Sequence, residues 1–453
     1  MFNIKEIVKA TSGRQLSGSK TIAIKDFSID SRAVKNGDCF IAIKGENFDG
    51  HDFLREVAKK KAACIIVDKT SKLPVLTKDL AVIRVKDTQI ALGLLAAFIR
   101  LKYNTPVIAV TGSVGKTTAK EMLAWVLSKK YKVLFNEGTK NNHIGLPLTL
   151  LRLKPEHDLA VLELGTNHFG EIDYLAKISL PNIGIITNIG PAHLEHFKNL
   201  AGVLKEKSQI IKRLKPPKVS FLNADDQLLS NKFLKTGKNN FFSFGIKNNA
   251  DYKASNIKIA NHGLEFSVNN KCLIKLDSCG KNNIYNALIA VAVARVFGMD
   301  YKEIALRISK FKFPKGRLNI IKLKQVKFLD DTYNANPLSL KAALEAVKNI
   351  NVEGRKIFVM GDMLELGDSK ESLHSGFGRD IAQICDIFIS VGNLSKLAAQ
   401  AAKVSGLNVE NIYSCRDSLE ARELLFNKVS PDKDDIVLVK GSRGMKMEEI
   451  FKI

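Results

Sequence analysis

Cysteine is scarce in this chain, and what there is does not pair. Cys39, Cys64, Cys272, Cys279, Cys385 and Cys415 are scattered over 453 residues with no C-x-x-C and no histidine beside them at metal spacing. That excludes a disulfide framework and a zinc site, and leaves reduced thiols. Apolar runs of membrane length are lacking too. The longest, IALGLLAAFI over 90–99, is bounded by Gln89 and Arg100 and has half the length a bilayer span needs, so a buried helix is expected. The opening MFNIKEIVKA has no apolar core of the signal-peptide kind. A cytoplasmic protein without a membrane span is expected.

Basic tracts with interleaved aromatics are also missing, despite a formal net charge of +24. No run of basic residues exceeds the three of Lys59–Lys61, and the excess is +8 over 1–105, +15 over 106–316 and +1 over 317–453. That spread suits a lysine-rich solvated surface or a preference for small polyanions such as nucleotides, and no nucleic-acid partner is expected. What is present is ordinary globular composition, 45% hydrophobic and 26% charged, in a chain too long for one core.

Short strand-like runs (CFIAIKG, ACIIVD, AVIRV) around a helical FLREVAKKKA describe a small α/β domain over residues 1–105. From Pro106 the apolar runs PVIAVTG, DLAVLELG and NIGIITN alternate with helical patterns, the signature of a mostly parallel sheet, in a central domain over 106–314. The alternation restarts after FKFPKGRLN. VKFLDD, KIFVMGD, DIFISVG and DIVLVKG each end in Asp or Gly, which predicts a doubly wound, Rossmann-like domain over 315–453 with its strand ends facing a ligand crevice. The expected fold class is therefore α/β, in three domains.

VIAVTGSVGKTT, residues 107–118, reads as a strand, a tight turn and a helix start. A phosphate loop of the G-x-x-x-x-G-K-[ST] kind would place its first glycine at Val110, so the motif is incomplete. The turn still suits an anion. Amides of Gly112, Ser113, Val114 and Gly115 and the helix start at Lys116, Thr117 and Thr118 would converge on phosphates, with Lys116 at the terminal ones and the Thr117 hydroxyl on Mg²⁺. Glu163 closes a buried apolar run, where a carboxylate is costly unless it is paired or metal-bound. His193 follows another strand end on the same sheet edge, so the two are candidates to share a divalent ion with ATP.

TGSVGKTT, ELGTNH, NIGPAHLEHF, GKNNIYNAL, KGRLN and DDTYNANP occur in the order seen in the Mur ligases, ATP-dependent amide-forming enzymes of peptidoglycan precursor synthesis, and the chain resembles that family over nearly its whole length. The shortened loop opening with Thr-Gly is the family's own form. By this resemblance Lys116 and Thr117 match ATP and Mg²⁺ residues, and Glu163 and His193 match metal ligands. Lys207 matches a lysine that members carbamylate. Asn283 and Asn286 match the adenine side, Arg317 a nucleotide contact and Asp331 the ribose carboxylate. Lys116, His193 and Lys207 are the expected catalytic residues.

IDSRAVKNGDCFIAIKGENFDGHDF resembles the segment that holds the uridine-diphosphate sugar, with Ser31, Arg32, Lys44 and the Asp49-Gly50-His51 turn at matching positions. Asn141, Asn142, Asn334, Asn336 and the basic loop of Lys440, Ser442 and Arg443 are further expected substrate contacts. GDMLELGD, DTYNANPLSLKAAL and ELGTNHFGEI are similar to the last-acting member, which adds D-alanyl-D-alanine to UDP-MurNAc-tripeptide. Implied with it are ATP and Mg²⁺, a carbamylated Lys207, an acyl-phosphate intermediate and a monomer. Two departures stand out. Gln209 replaces the usual Glu after the carbamylated lysine, and Thr139 stands where Asn is common. Folylpolyglutamate synthetase shares the central and C-terminal motifs but lacks the IDSR…DGHDF segment. The identity of the third peptide residue, diaminopimelate or lysine, is left open.

Overall fold

The computed structural model describes residues 2–68, 73, 78–237, 240–260 and 263–452. Three main sheets follow one another along the chain without interleaving, giving a three-domain α/β architecture. In the first, the strands stand in the order Arg14–Ser17, Ala81–Arg84, Cys64–Val67, Cys39–Ile41 and Phe27–Ser28. All neighbours are parallel except Arg14–Ser17 against Ala81–Arg84. Cys39–Ile41 and Cys64–Val67 are buried at every residue, so they read as unbroken apolar runs rather than alternating ones.

The apolar run at 90–99 is part of the helix Thr88–Lys102, whose N-terminus is capped by the Asp87 carboxylate. This helix fastens the first domain to the second. Ala91, Leu92, Leu95, Ala96 and Ile99 share a core with Leu146, Ile172, Leu175 and Ala176. Gly93 permits the approach, since a Cβ there would lie 2.1 Å from the Tyr174 hydroxyl. The buried Arg100 guanidinium donates to the carbonyls of Tyr103, Ser179 and Leu180 and to the Asn182 amide oxygen.

The central sheet has nine strands. Seven run parallel: Val133–Phe135, Leu159–Glu163, Val107–Thr111, Ile183–Ile186, Val219–Asn223, Phe241–Gly245 and Tyr252–Ala260. Gly263–Val268 and Cys272–Leu276 then extend it as antiparallel strands that bury alternate residues. From Val107–Thr111 the chain runs outward to Val133–Phe135 and back to Leu159–Glu163, then crosses to Ile183–Ile186 on the other side. The strand order reverses there, and a crevice opens beyond three neighbouring carboxyl ends.

The third sheet contains the four expected strands as Val326–Asp331, Ile436–Lys440, Lys356–Gly361 and Ile387–Val391, all parallel. Asn319–Leu323, antiparallel, and Ile412–Cys415 form its edges. Their half-exposed residues leave no continuous apolar run to read. Register sets Asp331 opposite Lys440 at the ends of adjacent strands. Among the described residues, no helix is long and apolar enough to cross a membrane.

Candidate active site

Val110, where the loop motif would want its first glycine, is a fully buried strand residue paired with Glu163 on one side and Ile185 on the other. The loop proper begins at Gly112. Its φ is 150° and that of Gly115 is 87°. A Cβ on Gly112 would lie 1.9 Å from Thr187 Oγ1, and one on Gly115 would lie 2.8 Å from Asn286 Oδ1. Both positions therefore need glycine.

The neighbouring strand end holds the loop in shape. Ser113 N donates to the Asn188 carbonyl at 3.0 Å and Val114 N to Asn188 Oδ1 at 2.9 Å. Thr187 Oγ1 and Asn188 Nδ2 donate to the Val114 carbonyl, and Ser113 Oγ exchanges hydrogen bonds with the Gly190 backbone. Among the described residues, the amides of Gly115 through Thr118 are left with no acceptor at the start of the helix Lys116–Leu127. Converging N–H groups and the positive helix end make an anion site. Lys116 Nζ folds back to the Gly112 carbonyl at 2.8 Å. Burial, aided by the Arg317 charge and opposed by Glu163, lowers its pKa.

Glu163 is 1% exposed. Its Oε1 accepts from Asn141 Nδ2 at 2.7 Å, while Oε2 is buried with no hydrogen-bond partner among the described residues. An unpartnered buried carboxylate oxygen facing a phosphate loop fits a divalent cation. Among the described residues, no three His, Cys, Asp or Glu side chains cluster to hold a metal by themselves. A cation at Glu163 would need hydroxyl and phosphate oxygens as well, which matches the hard-cation pattern of Mg²⁺. Thr117, 5% exposed, is placed to offer such a hydroxyl. The His193 ring lines the same cavity, with its Nδ1 against the Glu365 carboxylate.

The cavity, about 660 Å³, lies between the central and C-terminal domains. Its walls bring together Ser113 to Thr118, Asn141, Asn142, Glu163, His193, Asn283, Asn286, Arg317, Asp331, Asn334, Asn336 and Lys440, as well as Thr139. Arg317 reaches across with NH2 3.3 Å from Thr117 Oγ1 while its guanidinium stacks on Tyr333 at 3.9 Å. Asp331 accepts from Lys440 Nζ at 2.5 Å. Asn283 donates to Ser278 Oγ and accepts from Asn286. Asn336 caps the helix Pro337–Lys348, and Asn142 Oδ1 accepts from the amides of Ile144 and Gly145.

Other expected residues lie elsewhere. Ser31, Arg32, Lys44, Asp49 and His51 form no part of this cavity's wall. Asp49 bonds His51 at 2.5 Å, and hydrogen bonds from Arg32 bring the Asp30 carboxyl down to about 2. Lys207 is 1% exposed, off the cavity wall, with no ion pair among the described residues. Burial first, then repulsion from Lys116, puts its pKa well below that of an ordinary lysine, against the pull of Glu206 and Glu163. Gln209 turns to the Lys205 carbonyl. Ser442 accepts from Leu364 N at 2.8 Å, and Arg443 pairs with Glu448; both border a smaller cleft next to His193.

Sequence reasoning passed over Asn188 and Thr187, which shape the loop, and Asn136, whose side chain holds the Glu163 backbone from both sides. It also passed over Lys120, fully buried and bonded to Glu121 and to the carbonyls of Asn136 and Gly138. Asn188 carried a signal, for it opens NIGPAH just beyond a strand end, as Glu163 opens ELGTNH at one. Glu365 carried none, because its partner is 172 residues away in another domain.

A three-domain α/β molecule with a phosphate loop, an open acidic cation position and an arginine reaching over from a third domain belongs to the nucleotide-dependent ligase class. Comparison with known proteins narrows this. Residues 23–100 match the model of the Mur ligase family catalytic domain, 110–294 that of the Mur ligase middle domain, and 316–443 that of the Mur ligase glutamate ligase domain. The chain is 37% identical over 451 residues to the UDP-N-acetylmuramoyl-tripeptide--D-alanyl-D-alanine ligase of Haemophilus influenzae, covering 96% of this chain and 95% of that one. It is 35% identical over 457 residues to the protein of the same name from Bacillus subtilis, covering 99% and 97%. A crystal structure of MurF from Acinetobacter baumannii superimposes with a TM-score of 0.88 at 34% identity, covering 100% of this chain and 98% of that one. The chain belongs to the Mur ligase family.

Proposed function

We propose that the protein is the ATP-dependent ligase that joins D-alanyl-D-alanine to UDP-MurNAc-tripeptide in cytoplasmic peptidoglycan precursor synthesis, acting as a monomer. The observation that carries the reaction type is the orphaned Glu163 Oε2 beside four unoccupied loop amides, a site built for a phosphate chain and a divalent cation. The substrate assignment is supported by relatives that bear this name over at least 95% of their length at 35% identity or better.

The reaction has two steps. An oxygen of the tripeptide's terminal carboxylate attacks the γ-phosphorus of ATP, the bond to the ADP oxygen breaks, and an acyl phosphate forms. The amine of D-alanyl-D-alanine then attacks the acyl carbon, phosphate leaves, and the nitrogen gives up a proton. Every partner in the first step is anionic, so charge stabilisation dominates. Lys116 would leave the Gly112 carbonyl for the terminal phosphates, while the free amides of Gly115 to Thr118 hold them. Arg317 would add charge from the far wall, and Asp331 and Asn286 would line the nucleoside side. Bound Mg²⁺, held by Thr117, Glu163 and His193, would neutralise phosphate charge. Lys207, whose pKa burial lowers well below that of an ordinary lysine, is suited to take up CO₂ as a carbamate and become an anion near that cation. Ser31, Arg32, Lys44, Asp49 and His51 would hold the UDP-sugar on the first domain. Burial between two domains would keep water from the acyl phosphate.

The test is phosphate release from ATP and Mg²⁺ with UDP-MurNAc-tripeptide, with and without D-alanyl-D-alanine, using tripeptides ending in diaminopimelate and in lysine. Release that needs both substrates is expected, and the preferred tripeptide names the cell-wall type. No release with either would mean that the site serves another acceptor.

A further inference from the structure

Outside the nucleotide cavity, the two larger domains touch at a second place. The segment Leu364–Gly367 of the C-terminal domain lies against residues 192–195 of the central one, around a small cleft. Glu195 N donates to the Glu365 carbonyl at 3.3 Å. Gly367, at φ 58°, comes so near that a Cβ on it would lie 3.1 Å from Glu195 Cα. Glu365 itself sits at φ 62° and His193 at φ 53°, in the left-handed region that few residues other than glycine occupy. Two residues in left-handed conformations thus meet side chain to side chain across the domain boundary, Glu365 carboxylate to His193 Nδ1.

With Nδ1 engaged, Nε2 is the ring nitrogen left to the large cavity, and the His193 ring lines both that cavity and the smaller cleft. A carboxylate accepting from Nδ1–H fixes the tautomer whose free lone pair is on Nε2, orients the ring and strengthens it as a donor to a cation.

We propose that Glu365 is a positioning residue for the divalent cation: it holds His193 with Nε2 towards the cation, so the cation site is complete only when the C-terminal domain is docked. This rests on the ligase reading above. It makes docking and cation binding a single event, with a residue of the C-terminal domain reaching the cation through the histidine of the central one.

The test reads Mn²⁺ binding to the full chain saturated with ADP by electron paramagnetic resonance, using electron spin echo modulation to detect an imidazole nitrogen on the ion. Wild type is expected to show nitrogen modulation. Glu365→Leu, of similar bulk but with no acceptor, should lose the modulation and bind Mn²⁺ about tenfold more weakly or worse, the usual cost of removing such a partner. Glu365→Gln, which keeps an acceptor, should recover most of both, a rescue that a packing role would not give. Equal affinity and modulation in all three would overturn the proposal, as would wild-type binding without nitrogen modulation. Wild-type protein that bound no Mn²⁺ with ADP would overturn the ligase reading itself.

Discussion

Glu163 and Lys207 are two buried ionisable residues without an ion pair among the described residues, and both stand beside Lys116. Glu163→Gln keeps the oxygen that Asn141 bonds and replaces the orphan one with an amide that has no acceptor and cannot ligate a cation. Phosphate release should fall about a hundredfold while nucleotide binding without metal persists, as equilibrium dialysis with labelled ADP would read. Lys207 makes a prediction about stability. Its pKa is lowered by folding, so between that value and the unfolded 10.5 the unfolded chain binds the extra proton and stability rises with pH. In CO₂-free buffer the stability of wild type relative to Lys207→Met should therefore climb as the pH is raised through that window, measured by urea denaturation. A flat difference would mean that the amine is not desolvated. These two residues differ in how legible they were. Glu163 announces itself as an acid ending a buried strand, whereas Lys207 lies in a helical run whose pattern matches a solvated lysine, and only the family resemblance singled it out.

At the scale of elements, the strand ends were readable because parallel strands buried on both faces spell continuous apolar runs. Val107–Thr111, Leu159–Glu163 and Ile183–Ile186 are of this kind, and so are the four inner strands of the C-terminal sheet. The antiparallel extension of the central sheet and the edge strands of the third alternate or lie half-exposed, and lysine and asparagine break their pattern. The link between sheet and helix that Asp225 makes was equally hidden. Its carboxylate accepts from the amides of Ile246, Lys247 and Asn248 and from the Tyr285 hydroxyl, tying the end of Val219–Asn223 to the turn after Phe241–Gly245 and to the helix Asn282–Val296. Burial pushes its pKa up, but these donors outweigh burial and hold it below the usual value. A depressed folded pKa contributes stability above the unfolded value near 3.8 that is lost as the pH falls through the folded one. Asp225→Asn should thus destabilise the protein at neutral pH by about 1–3 kcal/mol, since one oxygen and its charge are lost to several amides. The gap from wild type should close below the carboxylate range, with denaturant midpoints at several pH values as the measurement.

At the scale of the molecule, the site exists only because three surfaces of the C-terminal domain meet the central one: Arg317 at Thr117, Glu365 at His193, and Leu338 at Gly190. The last contact is apolar and bears no chemistry, so it can be altered without touching a reacting group. A Cβ on Gly190 would lie 2.8 Å from Leu338 Cδ2 and 3.3 Å from Leu338 Cβ, and the Gly190 backbone also bonds Ser113 Oγ of the loop. Gly190→Val should force the Leu338 side chain away and hold the domains apart by a small distance. Misplacement on the order of 1 Å can cost about a hundredfold in rate when positioning carries the catalysis. Phosphate release by Gly190→Val should accordingly fall by at least about tenfold, with the radius of gyration in the presence of nucleotide larger than that of wild type by small-angle scattering. Trimming the opposing side chain relieves the clash, so Gly190→Val with Leu338→Ala should regain both rate and compactness, whereas Leu338→Ala alone should do little. Because the two residues touch, their effects must fail to add. Additive losses in the double variant would mean that Gly190 acts through the phosphate loop rather than through docking, and that the C-terminal domain does not complete the site.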